Sequence, residues 1–413
     1  MKFSVEKIVH GGCRLGLLHE VGKLQSVTVE TPLCLLHTKA GSAPNLSMDT
    51  LGYIQNLPPI ALMPLNLLAE HHETLEEYKK GIADFTAMKD FLICCSLQDP
   101  CTAVPSGYND KTSVALWGRA GKMKVDPELF VKIQEAFQPD WFQCLGDSDT
   151  NKDSSKKRSK KAVDNTLNFL DEILKRRKSS EILQQSSVFG SIEGGFNQFE
   201  RERSAKETAA RGVDGFAIEG FQSDGQEFRQ FHEKEFTDIL GLTLKHLPED
   251  KPRMMLGVWR PDSVLQAVSA GIDIFDSSYA YSVSEKGRAL VFDFDYHKKH
   301  WESITDDDGS ENSKNATTTG RGFSVDLKDS RYKDDFSPVL KGCGCYTCKT
   351  YTRAYLNHLL TTSELQSGVL LMVHNLHHYF GFFEAIRQSL REDKFQQLQQ
   401  LIDGHSRSPS ADR

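Results

Sequence analysis

The sequence predicts an α/β protein built around a closed barrel. From about residue 90, short apolar runs alternate with longer amphipathic runs, the pattern of βαβ units that share a parallel sheet. Six such units follow additional strands near the N-terminus, which favours a closed barrel over an open sheet. No Gly-rich phosphate-binding turn follows a predicted strand, so an open dinucleotide-binding sheet is disfavoured.

Each element of the barrel has its own signal. The predicted strands are Asp90–Leu97, Asp140–Leu145, Ser187–Ile192, Gly215–Ile218, Arg253–Val258 and Gly271–Phe275. The predicted helices are Pro127–Phe137, Val163–Arg177, Phe199–Arg211, Glu227–His246 and Pro261–Ser269. Asp126 before Pro127 and Arg260 before Pro261 indicate helix starts, because proline is favoured at the first helical position.

Composition narrows the class of protein. The chain has 413 residues, of which 38% are hydrophobic and 26% charged, so it can bury a sizeable core. No apolar run approaches the roughly 20 residues that span a bilayer, and the N-terminus has no secretory signal pattern. We therefore expect a cytoplasmic protein. A net charge of -7 argues against nucleic-acid binding by overall charge, although two basic runs remain.

Polar segments predict the domain organisation. Residues 147–161 and 305–319 are rich in Asp, Ser, Asn, Thr and Lys, so we expect mobile surface loops there. We assign residues 1–338 to the barrel domain and 339–402 to a metal-binding helical subdomain. Residues 403–413 should form a disordered tail.

Three clustered cysteines predict a structural zinc site. Cys343, Cys345 and Cys348 lie within six residues, and zinc favours four tetrahedral thiolate and imidazole ligands. His374 follows an apolar run that would hold it in a packed setting, and His358 is its chief competitor as fourth ligand. The alternative is three reduced thiols without a metal.

These motifs resemble those of tRNA-guanine transglycosylases. The spacing Cys-x-Cys-x2-Cys, followed after 25 residues by His374-Asn375, is similar to the zinc signature of that family. Val29–Pro32, Phe189–Gly195, Asp214–Gly220 and Gly271–Asp276 resemble its barrel motifs. The resemblance implies a TIM (β/α)8 barrel that acts in exchanging a tRNA anticodon guanine for queuine or a precursor. It also implies one structural zinc held by Cys343, Cys345, Cys348 and His374.

Four carboxylates follow predicted strands. Glu193, Glu219 and Asp276 stand at strand ends, and Asp147 lies near a fourth. In a (β/α)8 barrel these ends surround the mouth, where active sites lie. Any one of them could be a helix cap or turn residue, but four at equivalent positions weaken that interpretation. The resemblance places Asp276 at the position of the family's nucleophile.

Much of the family's active-site pattern is absent. Ile93–Pro100 replaces the D-S-G-G motif that carries the second catalytic carboxylate, and Leu145–Asp149 replaces the D-E-C motif that reads guanine. Glu193 stands where a base-binding Gln is expected, and Glu219 where a Gly is expected. Tyr279–Ser284 replaces the P-T-R-x-A-R motif. Losing so many determinants together indicates that the chain is not itself the catalyst.

The resemblance therefore implies a non-catalytic accessory subunit of a heterodimeric queuine tRNA-ribosyltransferase, which supports exchange at the wobble position by a catalytic subunit. Two extra carboxylates facing Asp276 would raise its pKa by like-charge repulsion. Two alternatives remain. Asp276 could still serve as the nucleophile of an active transglycosylase, or Glu193 and Glu219 could bind the cationic amine of queuine in a salvage protein.

The resemblance also suggests partner surfaces. Family dimers pack through the zinc subdomain, so Cys343–Gln399 is the candidate interface with the catalytic subunit, and a homodimer is a further option. The aromatic segment Tyr379–Phe383 could belong to that surface or to helix core. Lys156–Lys161 and Lys175–Lys178 could contact tRNA phosphates or form solvated faces. A peripheral position on the mitochondrial outer membrane is implied by the resemblance alone.

Overall fold

The computed structural model describes residues 1–23, 27–220, 234–297 and 322–406. Its strands are β1 (Lys2–Val9), β2 (Cys13–His19), β3 (Val29–Thr31), β4 (Leu33–His37), β5 (Ile60–Pro64), β6 (Leu92–Ser96), β7 (Val114–Gly118), β8 (Gly121–Val125), β9 (Trp141–Gln143), β10 (Ser187–Ile192), β11 (Gly215–Ile218), β12 (Arg253–Met254), β13 (Ile274–Asp276), β14 (Arg288–Leu290) and β15 (Ser324–Asp326).

The helices surround and follow these strands. They are α1 (Met48–Leu51), α2 (His72–Tyr78), α3 (Gly81–Phe85), α4 (Pro127–Phe137), α5 (Lys156–Arg177), α6 (Gln198–Ala209), α7 (Lys234–Leu244), α8 (Pro261–Ala270), α9 (Ser278–Glu285), α10 (Tyr346–Thr350), α11 (Arg353–Thr361), α12 (Leu365–Arg391) and α13 (Phe395–Ser406). No helix in the described ranges combines the length and apolar character needed to cross a membrane.

Eight parallel strands close the predicted barrel. They follow chain order around the ring, as β4, β5, β6, β9, β10, β11, β12 and β13. β13 closes the ring on β4, with Ile274 opposite Leu33 and Asp276 opposite Leu35. Each of the six predicted strands overlaps a barrel strand, and the N-terminal region supplies β4 and β5. The closed (β/α)8 fold is therefore confirmed.

An antiparallel sheet of β1, β2 and β3 covers the N-terminal end of the barrel. Its apolar residues Leu18 and Val29 belong to one buried cluster with residues that begin barrel strands, such as Leu33, Ile60 and Leu92. Burial of this apolar surface stabilises the closed end. Polar side chains, including Asp99, Glu193 and Glu219, lie at the opposite, C-terminal end of the barrel strands.

Local signals set several helix limits. α4 begins at Pro127 because the Asp126 side chain accepts a hydrogen bond from the Leu129 amide at 2.8 Å. α8 begins at Pro261 and ends before Gly271, whose φ of 101° is a left-handed conformation that glycine adopts without strain.

The predicted mobile loop at residues 147–161 is wrong in its second half. Ser155 caps α5 by accepting a hydrogen bond from the Arg158 amide at 3.2 Å, so the helix begins at Lys156. The basic residues that suggested a loop form the first turns of a helix whose apolar side begins at Ala162. Asp147, at the start of the predicted loop, is fully buried.

Two other predictions fall partly or wholly outside the described residues. The predicted loop at 305–319 lies outside them, and of the predicted helix Glu227–His246 the structure describes α7, which begins at Lys234. The predicted disordered tail at 403–413 is wrong over 403–406, because these residues complete α13. His405 packs there, with its Nε2 atom 3.0 Å from the Asp293 amide. Residues 407–413 lie outside the described part.

The chain divides into two compact units. The first contains Met1–Leu51 and Leu57–Ser282, and the second contains Gly52–Asn56 and Val283–Arg413. This boundary differs from the predicted one at 338/339, because β14 and β15 pair with each other and β14 packs on α12.

The second unit is built on α12. Asn375 holds β14 in place: its Oδ1 accepts from the Leu290 amide at 2.8 Å and its Nδ2 donates to the Arg288 carbonyl at 3.0 Å. Each aromatic residue in the segment Tyr379–Phe383 is at most 3% exposed. They are therefore core residues of this unit, and the surface alternative for this segment is wrong.

A buried ion pair in the first unit provides a stability test. Arg14 donates two hydrogen bonds of 3.0 Å to Asp273, and both side chains are at most 3% exposed. We expect Asp273→Ala to destabilise the first unit by about 3–5 kcal/mol, because Arg14 is left buried without its counter-ion. The measurement is urea unfolding followed by tryptophan fluorescence.

The control is Asp171→Ala, which removes the half-exposed Asp171 partner of Arg211. It should cost at most about 1 kcal/mol, since solvent screens such pairs. Equal unfolding midpoints for the two variants would contradict the assignment.

Candidate metal centre and barrel mouth

The second unit brings three thiols and one imidazole together. The ligand atoms of Cys343, Cys345, Cys348 and His374 all lie within 4.8 Å of one another. The Nδ1 atom of His374 is 3.9, 3.4 and 3.3 Å from the three sulfur atoms, in that order. α10 begins directly after Cys345, whose sulfur accepts a hydrogen bond of 3.3 Å from the Cys348 amide.

The surroundings of His374 fix which nitrogen faces the sulfur atoms. Its Nε2 atom is 2.8 Å from the Leu290 carbonyl, so Nε2 carries the proton and Nδ1 keeps a free lone pair. The competitor His358 is exposed on α11 and does not belong to the cluster. This donor set could hold a metal ion with no position left for substrate.

Asp276 ends β13 inside the barrel mouth. It is 1% exposed, and each carboxylate oxygen accepts a backbone amide: Oδ2 from Gly257 at 2.7 Å and Oδ1 from Ser278 at 2.8 Å. Burial raises the pKa of Asp276. The direction agrees with the sequence prediction, but the main cause is desolvation rather than neighbouring carboxylates.

Glu193 directly follows β10 and is fully buried. Its two carboxyl oxygens have no hydrogen-bond partner among the described residues. A Cβ atom on Gly146 or Gly220 would lie 2.9 or 2.8 Å from these oxygens, so both glycines leave the room that the carboxyl group occupies. Burial, and then the charge of Glu219, raise the pKa of Glu193 well above its usual range.

Arg201 lies behind Glu193 and was missed by sequence reasoning. Its buried guanidinium donates to the carbonyls of Gly195 (2.9 and 3.1 Å), Ile192 (2.8 Å) and Glu219 (2.7 Å). α6 carries charged residues on several faces, so nothing in its pattern distinguishes this arginine from exposed ones. The side chain joins the ends of β10 and β11.

Asp147 is a structural hub rather than a free site carboxylate. Arg158 donates to both of its oxygens, at 2.9 and 2.5 Å. Asn165 donates to Oδ2 at 2.9 Å and Asn109 to Oδ1 at 3.1 Å. Asp147 therefore has a structural role, as the cap or turn interpretation predicted, but its partners lie far along the chain.

A second missed group is His37 at the end of β4. Its Nε2 atom is 2.9 Å from Asp99, and its ring stacks on Tyr281 with 5.5 Å between centroids. Although burial opposes ionisation, the contact with His37 and other hydrogen bonds lower the pKa of Asp99. His37, Asp99 and Cys101 form a further group within metal-binding distance of one another. The available sequence signal was a histidine at the end of an apolar run.

The pocket at the mouth is small and acidic. Its lining includes Asp99, Glu193 and Glu219, together with Gln143 and Ser148, and Asp276 is not among its lining residues. Its cavity volume is about 20 Å³, which holds about one water molecule. As formed by the described residues, this pocket is smaller than a purine base requires.

The fold and the cluster define a class: (β/α)8-barrel proteins with a group of three cysteines and one histidine that could hold a metal ion. Comparison with known families then identifies the chain. The sequence profile described as "Queuine tRNA-ribosyltransferase" matches residues 11–406, so the chain belongs to that family.

Individual relatives agree with this assignment. The chain is 45% identical to "Queuine tRNA-ribosyltransferase accessory subunit 2" of Homo sapiens, over 97% of this chain and 99% of the relative. Proteins with the same name in Gallus gallus and Aedes aegypti are 44% and 33% identical, over 95% and 96% of this chain and 94% and 91% of theirs.

The buried Glu193 predicts an unusual pH dependence. In the folded protein its pKa is well above the unfolded value of about 4.3, so the folded state holds a proton that the unfolded state releases. The contribution of Glu193 to stability should therefore fall as pH rises above about 4.3. We expect Glu193→Gln to remove this loss, so that the variant unfolds at a higher temperature than wild type at pH 7 and at an equal temperature near pH 4.

Thermal unfolding at a series of pH values measures this effect. Glu172→Gln is the matched control, because Glu172 is exposed on α5. A pH profile of Glu193→Gln parallel to wild type would refute the prediction.

Proposed function

We propose that this chain is a non-catalytic accessory subunit of a heterodimeric queuine tRNA-ribosyltransferase. It would support a catalytic subunit that exchanges guanine for queuine at the wobble position of tRNA. The names of the relatives support this proposal, since each is called accessory subunit 2. We place the complex in the cytoplasm, with peripheral attachment to the mitochondrial outer membrane as the alternative that cell fractionation tests.

The single observation that carries the proposal is the filled barrel mouth. Base exchange needs a carboxylate that can reach the anomeric carbon and a space that holds the leaving purine. Here Asp276 is held by two backbone amides outside the pocket lining, and Glu193 occupies the space between Gly146 and Gly220. The same lack of space disfavours the alternatives of an active transglycosylase and of a queuine-binding salvage protein.

The metal of the second unit is proposed to be one structural zinc ion. Cys343, Cys345, Cys348 and His374 supply the sulfur and nitrogen donors that zinc favours. The Nε2 contact of His374 to a main-chain carbonyl is the support that such a ligand requires. A bound ion would hold α10 and α12 together, because Cys348 lies on α10 and His374 lies on α12.

A ladder of tyrosines beside the cluster supports a partner surface in this unit. Tyr53 stacks on Tyr346 with 4.4 Å between centroids, and Tyr351 stacks on Tyr355 with 5.4 Å. Tyr53 and Tyr355 are exposed, and Leu365 at the start of α12 is 91% exposed. Aromatic side chains are enriched at protein interfaces, and the second unit therefore presents a candidate contact with the catalytic subunit. A homodimer would use the same surface.

Basic residues at the start of α5 support contact with tRNA. Lys156, Lys157, Lys160 and Lys161 are exposed. Positive charge at a helix N-terminus opposes the helix dipole, so these lysines do not serve helix stability and suit an anionic partner. Arg158 is excluded from this set because it is paired with Asp147.

The first test measures incorporation of labelled guanine or queuine into tRNA. We expect no incorporation with this chain alone, and an increase of at least tenfold when it is added to a catalytic homologue that is weak alone. Asp276→Ala should leave the activity of the mixture within about twofold. Incorporation by the chain alone that disappears in Asp276→Ala would overturn the proposal and restore the active-enzyme alternative.

The second test concerns zinc. We expect one zinc ion per chain by elemental analysis, and Cys348→Ala should lose the ion and reduce heterodimer yield at least tenfold. A bound ion would order the second unit, so loss of the ion should disorder the stacked pairs Tyr53–Tyr346 and Tyr351–Tyr355. Cys144→Ala is the control, because it removes a buried thiol of the first unit. Full co-purification of a zinc-free Cys348→Ala variant with the partner would sink the idea that zinc supports assembly.

A further inference from the structure

A hairpin inserted after β6 has one apolar and one basic face. β7 and β8 pair with Trp117 opposite Lys122 and Ala115 opposite Lys124, so these four side chains share one face. The other face carries Val114, Leu116 and Val125, which are buried at 2% exposure or less. On the first face Lys122 and Lys124 are exposed, Trp117 is half-buried and Ala115 is buried.

An aromatic pair with a cation occupies the outer face. The ring of Tyr108 packs edge-on against Trp117, with 5.1 Å between centroids, and the Lys122 ammonium lies 4.6 Å from the Tyr108 centroid. Tyr108 is 43% exposed. Tyr108 is therefore not a buried core residue, and its ring remains accessible to a partner.

The hairpin lies at the mouth of the barrel. It belongs to the connection between β6 and α4, and such β-to-α connections meet at the C-terminal end of the strands. The segment that leads into it is bound to the loop after β9: the Gly107 amide donates to Asp149 at 2.6 Å, and Asn109 donates to Asp147 at 3.1 Å.

The Asp147 hub joins this segment to the basic start of α5. Arg158 and Asn165, both on α5, bind the same carboxylate as Asn109. The Asn165 amide also donates to the Asp110 carbonyl at 3.1 Å. The aromatic pair and the α5 lysines are thus parts of one connected rim.

The charge of the rim opposes that of the chain. The segment from Tyr108 to Val125 has four basic residues and one acidic residue, hence a net charge of +3, in a chain whose net charge is -7. Lys124 is paired with Asp110, but Arg119 at the hairpin tip and Lys111 are exposed. A positive patch on a negative protein is suited to a polyanion.

We propose that Tyr108, Trp117 and Lys122 form a stacking platform for an unpaired base of an RNA loop, with the α5 lysines contacting the adjoining phosphates. This inference rests on the proposed accessory function and specifies how the subunit would hold its RNA. Exposed aromatics beside basic side chains are the recurrent means of binding unpaired nucleotides, because every base offers a face for stacking. A protein partner for the same face is the competing class.

The experiment measures the affinity of the intact heterodimer for fluorescent tRNA at several salt concentrations. Tyr108→Leu should weaken binding about tenfold without changing the salt slope, since it removes stacking and no charge. Tyr108→Phe should bind like wild type, because the ring remains. Replacing Lys156, Lys157, Lys160 and Lys161 by Gln should weaken binding and also flatten the salt slope.

The matched control is Phe85→Leu. Phe85 is 46% exposed and packs edge-on against Tyr78 beside Lys80, so it offers similar chemistry. It precedes β6 and therefore lies at the opposite end of the barrel. This variant should bind tRNA like wild type.

Gel filtration of each variant with the catalytic subunit separates the outcomes. Weaker tRNA binding by Tyr108→Leu with normal heterodimer assembly supports the platform. Unchanged affinity overturns it, and so does loss of assembly, which would assign the face to a protein partner. Failure of the accessory function itself would appear differently, as a wild-type chain that neither assembles with the catalytic subunit nor increases its base exchange.

Discussion

The barrel mouth depends on one buried cation. The guanidinium of Arg201 donates four hydrogen bonds to main-chain carbonyls at the ends of β10 and β11, which fixes the positions from which Glu193 and Glu219 project. A charge in this setting is tolerated only when its donors are paired, and here carbonyl oxygens pair them. The Glu193 carboxyl group lies in the space between Gly146 and Gly220, without a hydrogen-bond partner among the described residues.

Two carboxylates at the barrel mouth have contacts that serve the structure of the protein. Asp276 remains at the end of β13, yet its two oxygens serve backbone amides and burial raises its pKa. Asp147, in the loop after β9, is the point at which two loops and α5 meet. Residues that a catalyst would direct at substrate thus contribute to the structure of the mouth. The family fold is retained while the pocket has closed.

Sequence patterns predicted the parts of this protein in which local and long-range forces agree. Ser187–Ile192 and Gly215–Ile218 were found to the residue because buried parallel strands are continuous apolar runs with sharp ends. The cysteine spacing located the group that could hold a metal ion, and the apolar run before His374 indicated the histidine that lies beside the three thiols. The start of α5 was missed because lysines there conceal the cap supplied by Ser155. Arg201, His37 and the Asn109 contact to Asp147 were missed because only the folded chain brings their partners near.

The second unit draws a short piece of the N-terminal half of the chain into its structure. Residues 52–56 belong to it, with Tyr53 stacked on Tyr346 and the Asn56 amide 2.6 Å from Glu384. About 290 residues separate Tyr53 from its stacking partner. At roughly 5–20 residues per second, a ribosome takes about 15 to 60 s to synthesise that interval. During this time Tyr346 does not yet exist, so residues 52–56 can join the second unit only late in synthesis.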